Sequence, residues 1–149
     1  SAAQMLEAVL DETTHADVLI MAAAVADFRP AQAASQKIKK QAGTPQLMLE
    51  PTADILAAVA RRRGQSGYPR RVIGFAAESQ YLLENAQAKL TAKNLDLIVA
   101  NDISASDAGF EVSTNRVTLL TPDGRVQNLP LQSKEAVAEA LMQQVLAWF

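Results

Sequence analysis

No cysteine occurs among the 149 residues. That removes disulfides, thiolate nucleophiles and cysteine-ligated metals together. The single histidine, His15, rules out a histidine-rich metal site, and no Ser-His-Asp arrangement or Gly-x-Ser-x-Gly elbow is present. His15 lies in the polar stretch from Asp11 to Asp17, which reads as a solvated turn between a helix and a strand. The six glycines are scattered, so neither a dinucleotide-type nor a P-loop-type glycine-rich loop is spelled out. Aromatic residues are sparse, at 5%. The longest apolar run, Val18 to Ala26, falls far short of the roughly 20 residues a membrane helix needs. Ser1-Ala2-Ala3-Gln4 carries no basic n-region of a secretory signal, and the cytoplasm is the expected location. Charge of one sign is missing too. Fourteen Lys and Arg against 16 Asp and Glu leave −2, which gives no reason to expect a nucleic-acid partner.

A chain with 49% hydrophobic and 20% charged residues is ordinary for a globular protein. Its length suits one domain, residues 1–149, with a real core. Met5, Leu6, Val9 and Leu10 recur at helical spacing over residues 3–12. Val18 to Val25 reads as a strand covered on both faces, as in a parallel sheet. Residues 28–50 are polar and irregular, broken by Pro30, Gly43 and Pro45. Thr52 is the expected N-cap of a helix running to Arg63, with Gly64 to Pro69 a loop. Arg71 to Ala77 is a second apolar strand. A helix over 80–93 turns Leu82, Leu83, Ala86 and Leu90 inward, and Leu95 to Ala100 is a third strand. Asn115 to Thr121, Pro122-Asp123-Gly124 and Arg125 to Leu131 spell a hairpin, and Ser133 caps a last helix. The order implies an α/β fold: a Rossmann-like parallel sheet with flanking helices and an appended β-hairpin.

Ligands of open parallel sheets bind outside the carboxyl ends of the strands. Ala24-Val25-Ala26-Asp27, Ala76-Ala77-Glu78-Ser79 and Asn101-Asp102 fall there. Asp27 is either a hydrogen-bond acceptor for a base or ribose or the cap of a turn. Lys37, Lys39 and Lys40 form a basic loop that a phosphate chain would relieve of its self-repulsion, or a solvated surface. Lys89 and Lys93, four apart on one helix face, either bracket a triphosphate or face water. Arg61-Arg62-Arg63 and Arg70-Arg71 read as solvated surface.

Taken in order, several segments resemble those of phosphopantothenoylcysteine synthetase (phosphopantothenate–cysteine ligase). In bacteria that enzyme is usually the C-terminal half of a bifunctional coenzyme A biosynthesis flavoprotein. The resemblance is carried by Met21-Ala22-Ala23-Ala24-Val25-Ala26-Asp27-Phe28-Arg29-Pro30, Lys37-Ile38-Lys39-Lys40 and Ala53-Asp54-Ile55-Leu56. It continues through Gly74-Phe75-Ala76-Ala77-Glu78-Ser79, the run from Lys93 to Asp102, Gly109-Phe110 and Asn115-Arg116-Val117. It implies CTP-dependent joining of 4′-phosphopantothenate to cysteine through an acyl-cytidylate, with Mg²⁺ accompanying the nucleotide, in a homodimer. FMN belongs to the other domain of the bifunctional protein, and no metal ligands in this chain are implied.

By the same resemblance Met21, Ala22 and Ala23 contact the nucleotide through backbone, with Ala23 near the acyl group. Asp27 contacts the cytidine, and Lys37 contacts the nucleotide and supports the second half-reaction. Ala53, Asp54, Ile55, Leu56 and Phe75 shape the cytosine side, and Lys89 and Lys93 meet the phosphates. The hairpin takes the dimer contact. Two departures stand out. Ala53 replaces the family's usual proline, which leaves φ there less fixed. Residues 1–14 match neither the family's glycine-rich turn nor its Ser-Asn-x-Ser-Ser-Gly segment, so the resemblance implies the C-terminal two-thirds of the ligase domain. Two other readings are a CTP-binding, dimerising fragment without turnover and a Rossmann-type dehydrogenase domain.

Overall fold

The computed structural model describes residues 1–32, 36, 44, 46–104 and 112–149. The Lys37 to Lys40 loop and Gly109-Phe110 lie outside them. Helix α1 (Ala2–Glu12) starts at Ser1, whose hydroxyl and Gln4 form a reciprocal capping box. Strand β1 (Val18–Met21) pairs in parallel with β4 (Arg71–Glu78), which pairs in parallel with β5 (Leu97–Asp102). Between β1 and β4 lie a small antiparallel ribbon, β2 (Phe28–Pro30) with β3 (Leu49–Pro51), and helix α2 (Ile55–Ser66). Helix α3 (Leu82–Ala92) joins β4 to β5. The hairpin β6 (Thr114–Leu120) and β7 (Val126–Ser133) continues the sheet antiparallel to β5, and α4 (Lys134–Leu146) follows. The five-stranded order is β1-β4-β5-β6-β7. The expected α/β fold is therefore present, and the appended hairpin adds two antiparallel strands to the main sheet.

Alternation along the strands builds one core on each face. Val72, Ala76, Ile98, Ala100 and Leu120 meet α2, α3 and the apolar stripe of α1, including Met5, Leu6, Val9 and Leu10. Ile73, Leu97, Val99, Val117, Leu119 and Leu129 meet Val137, Leu141 and Val145 of α4. Gly74 allows the closest approach. A Cβ there would sit 2.7 Å from Leu95 Cδ1 and 3.4 Å from Leu56 Cδ1, so its missing side chain lets α2 and the segment leading into β5 pack directly on β4.

Several boundaries differ from expectation. β1 ends at Met21, opposite Gly74, and the alanines beyond it leave the ladder. α2 begins after Asp54, not Thr52, because the Asp54 carboxylate accepts from Ala57 N–H at 3.0 Å. It runs through Gly64 to Ser66 and ends on Gly67 at φ 76°, so the expected loop is shorter. Leu83 is exposed, while Leu82, Ala86 and Leu90 of α3 face the core as expected. Arg61 and Arg70 are exposed as expected, but the other three arginines are not merely solvated. Arg62 donates to Leu10 O and Thr14 Oγ1, tying α2 to α1. Arg63 and Arg71 both reach Asp96 at 2.9 Å. His15 does lie on the surface, its ring edge-on to that of Tyr68 with centroids 5.7 Å apart.

Glycine chemistry gives a paired test of this packing. Gly74→Ala is expected to destabilise by about 1–3 kcal/mol through overpacking against buried Leu95. Gly64→Ala, inside α2 with open space around it, is expected to stabilise by about 0.5–1 kcal/mol. Thermal or urea unfolding of the two variants reads both signs. A Gly74→Ala protein as stable as the parent would refute the close-approach argument.

Candidate functional site

Where the parallel strands end, they open a cavity of about 740 Å³. Its wall runs over the sheet edge, from α2 and α3 on one face to Val137, Leu141 and Met142 of α4 on the other. Every expected site residue that the structure describes lies on this wall. From the exit of β1 come Met21, Ala22, Ala23 and Asp27. The approach to α2 and its first turn give Ala53, Asp54, Ile55 and Leu56, while β4 gives Phe75. Lys89 of α3 and Lys93 at its C-terminal end complete the set. Lys37 lies outside the described residues.

Local chemistry sets each position. The alanines after Met21 expose backbone where β1 leaves the sheet, and with no bulky side chain a ligand can approach the main chain closely. Thr52 pins that segment. Its N–H donates to Asp27 O at 2.8 Å and its hydroxyl donates to Ala26 O. This fixes residues 26–27 against the start of α2. Sequence pattern alone predicts a capping role for Thr52. Its spacing 26 residues from Ala26 offered no signal for this long-range pin.

The two lysines are ion-paired. Lys93 Nζ lies 3.0 Å from Asp54 Oδ2, and Lys89 Nζ lies 2.5 Å from Glu78 Oε1. The repulsion expected between cations four apart is offset by a carboxylate on each. Partial burial opposes ionisation of Asp54, but the Ala57 N–H and the Lys93 ammonium outweigh it and hold the carboxyl below its ordinary range. At the end of β5, the Ser104 hydroxyl and N–H likewise lower the Asp102 carboxyl.

Asn101 falls at a strand end, where the sequence pattern predicts no role for it. Among the described residues its Oδ1 is buried without a hydrogen-bond partner, and the residue lines the cavity. A bare acceptor there is a group that a ligand donor would satisfy. Among the described residues no group of three or more His, Asp or Glu is placed to hold a metal ion. No described helix is long and apolar enough to cross a membrane.

A mainly parallel sheet whose strand ends open into a cavity walled by small residues, lysines and a helix start defines a Rossmann-like α/β domain. More specifically, the family model for the DNA/pantothenate metabolism flavoprotein C-terminal domain matches residues 1–149, and the chain belongs to that family. The coenzyme A biosynthesis bifunctional protein CoaBC of Bacillus subtilis (strain 168) is 44% identical over 147 residues. That match covers 99% of this chain and 35% of the relative, so the chain spans about a third of that relative's length. The crystal structure of the C-terminal domain of a CoaBC superposes with a TM-score of 0.74 at 36% identity, covering 97% of this chain and 61% of that one. A Cab2 variant in complex with phosphopantothenate-cysteine shares the fold, with a TM-score of 0.60 at 20% identity over 87% of this chain and 44% of its own.

Asp54 serves both as cap and as ion-pair partner, and two substitutions separate the roles. Asp54→Asn keeps a good cap and should cost under about 1 kcal/mol near neutrality, while Asp54→Ala should cost about 1 kcal/mol more. A carboxyl lowered in the folded state stabilises fully above its ordinary value of 3.8 and loses that contribution as pH falls through the lowered value. Parent protein should therefore lose more stability than Asp54→Asn between about pH 5 and pH 3. Unfolding midpoints across that range check this, and parallel profiles would contradict it.

Proposed function

We propose that residues 1–149 form part of a single phosphopantothenate–cysteine ligase domain and hold its nucleotide. In this reading CTP activates the carboxylate of 4′-phosphopantothenate, an acyl-cytidylate forms and pyrophosphate leaves. The amine of cysteine then displaces CMP to give the amide. The observation that carries the reading is the gathering of all the described expected residues on one cavity wall, with two lysines among them. Family membership and the naming of a 44% identical relative as a coenzyme A biosynthesis protein support it.

Each residue has a physical task. Met21, Ala22 and Ala23 offer main chain to the nucleotide, with Ala23 beside the acyl group. Asp27 accepts from the cytidine, and the stretch from Ala53 to Leu56 together with Phe75 shapes the cytosine side. Lys89 and Lys93 neutralise charge that builds on the departing pyrophosphate. Lys37 contacts the nucleotide and supports attack by the amine. Catalysis then consists of charge stabilisation and of holding two reactants together. Magnesium suits the acids present. Such ions usually take one or two carboxylates plus phosphate oxygens, and the two acids lining the cavity, Asp27 and Asp54, would hold it. When bound, the ion offsets phosphate charge. FMN would serve a separate flavoprotein part, and the reaction would run in the cytoplasm.

A homodimer belongs to the same reading. The hairpin β6–β7 is one candidate surface, with Val126 and Leu131 exposed. The β2–β3 ribbon is the stronger. Phe28, Leu47, Met48 and Leu49 are 55–77% exposed on and beside it. A lone two-stranded ribbon is marginal in water and gains from cover, which a second copy would provide. A CTP-binding, dimerising fragment without turnover is the second reading. Release of pyrophosphate in the presence of phosphopantothenate and cysteine separates it from the first.

Calorimetric titration tests the nucleotide assignment. The double variant Lys89→Ala with Lys93→Ala is expected to weaken CTP roughly tenfold or more, and CMP by less than about threefold, because CMP lacks the β and γ phosphates. Equal weakening of both ligands would point to a general defect and sink the assignment.

A further inference from the structure

Lys89 and Lys93, two of the three lysines on the cavity wall, already hold an anion, and the arrangement around Lys89 is built. Glu78, the last residue of β4, stands behind the wall with its side chain 13% exposed. Its Oε1 takes the Lys89 ammonium at 2.5 Å, and its Oε2 accepts from Asn85 Nδ2 at 3.0 Å. Asn85 Nδ2 also donates to Gln80 O at 3.1 Å, so the carboxylate is held from the side of α3 as well. Main chain anchors the same residue, because Ile103 N–H donates to Glu78 O at 3.1 Å. Lys93 is paired in the same manner with Asp54.

A phosphate reaching Lys89 must share the ammonium with a carboxylate already in contact. Two anions on one cation repel each other, strongly so at a half-buried site. We propose that Glu78, assisted by Asp54 and held in place by Asn85, is an internal counter-ion that competes with phosphate for the lysines and promotes release of pyrophosphate. This rests on the ligase reading above. A nucleoside triphosphate brings base and ribose contacts, and a metal ion, to offset the competition. Free pyrophosphate brings no base or ribose contacts. As it departs, Lys89 returns to Glu78, and neither charge is left unpaired at a half-buried position. Glu78 is a positioning and tuning residue here, not a catalytic one.

Inorganic pyrophosphate is the probe, titrated calorimetrically into the full chain with excess EDTA. Glu78→Gln is expected to bind it roughly tenfold tighter than the parent, while CMP affinity stays within about twofold. Asn85→Ala, which frees the carboxylate to swing away, is expected to tighten pyrophosphate by a smaller factor, about threefold. A folding defect would weaken ligands, so tightening is a sign that a merely structural role does not give. Unchanged or weaker pyrophosphate binding in both variants overturns the proposal. If the parent still binds CTP in a manner dependent on Lys89 and Lys93, the ligase reading survives that outcome. Parent protein that binds no CTP overturns the ligase reading and this proposal with it.

Discussion

The Asp96 carboxylate sits at the foot of the sheet, opposite the cavity, and the site depends on it. It accepts from Val72 N–H at 2.8 Å and from Arg71 at 2.9 Å, both on β4, and it pairs with Arg63 near the end of α2 at 2.9 Å. The main chain closes the same junction, with Asp96 N–H donating to Val72 O at 2.9 Å. Arg63 adds bonds to Asn94 O and Arg70 O. Three segments are thus locked to one acid that is only 15% exposed. A one-residue slip of β4 against β5 would strand this acid and turn every side chain of the slipped strand to the other face. With the register held, Ala77 lies beside Asn101 and Glu78 beside Asp102 at the other end. The geometry of the cavity is therefore set from the opposite edge of the sheet.

That division of labour explains what could be read from the sequence. Helix α1, the strands β4 and β5 and the hairpin carry strong periodic or continuous apolar patterns, and they appear close to where the patterns put them. Patterns of this kind report burial, which is local in sequence. The ties that orient the site are long-range. Asp96 is 33 residues from Arg63, and Thr52 is 26 from Ala26. No spacing rule reaches across such distances. Arg63 and Arg71 therefore looked like surface charge, and Thr52 like a helix cap.

The lysines show the same limit on the side of charge. Lys89 and Lys93 read as a self-repelling pair because helical spacing reveals only neighbours on the same helix. Their partners come from elsewhere, Glu78 from the end of β4 and Asp54 from the cap of α2. Among the described wall residues, Lys89, Lys93 and Lys134 stand with Asp27 and Asp54, and Glu78 stands just behind. The wall is closely balanced in charge, not a basic trap. Ligand choice in such a cavity depends on shape, main-chain donors and acceptors such as Asn101 Oδ1, unpartnered among the described residues, more than on net attraction.

The most informative mismatch is the length of β1. Val18 to Val25 has the continuous apolar character of a buried strand, yet pairing stops at Met21. β4 itself continues to Glu78 beside β5, so the partner has not run out. The chain leaves the ladder where its side chains shrink to alanine. Alanine buries little area and gives the sheet little reason to continue. At a wall, the same small side chains leave main chain accessible. Thr52 then catches the departing segment and returns it to α2. Apolar patterning and site geometry thus make opposite demands on residues 22–25, and the site prevails. Among the departures from local pattern in this chain, this one lies directly on the cavity wall, where local and tertiary demands compete.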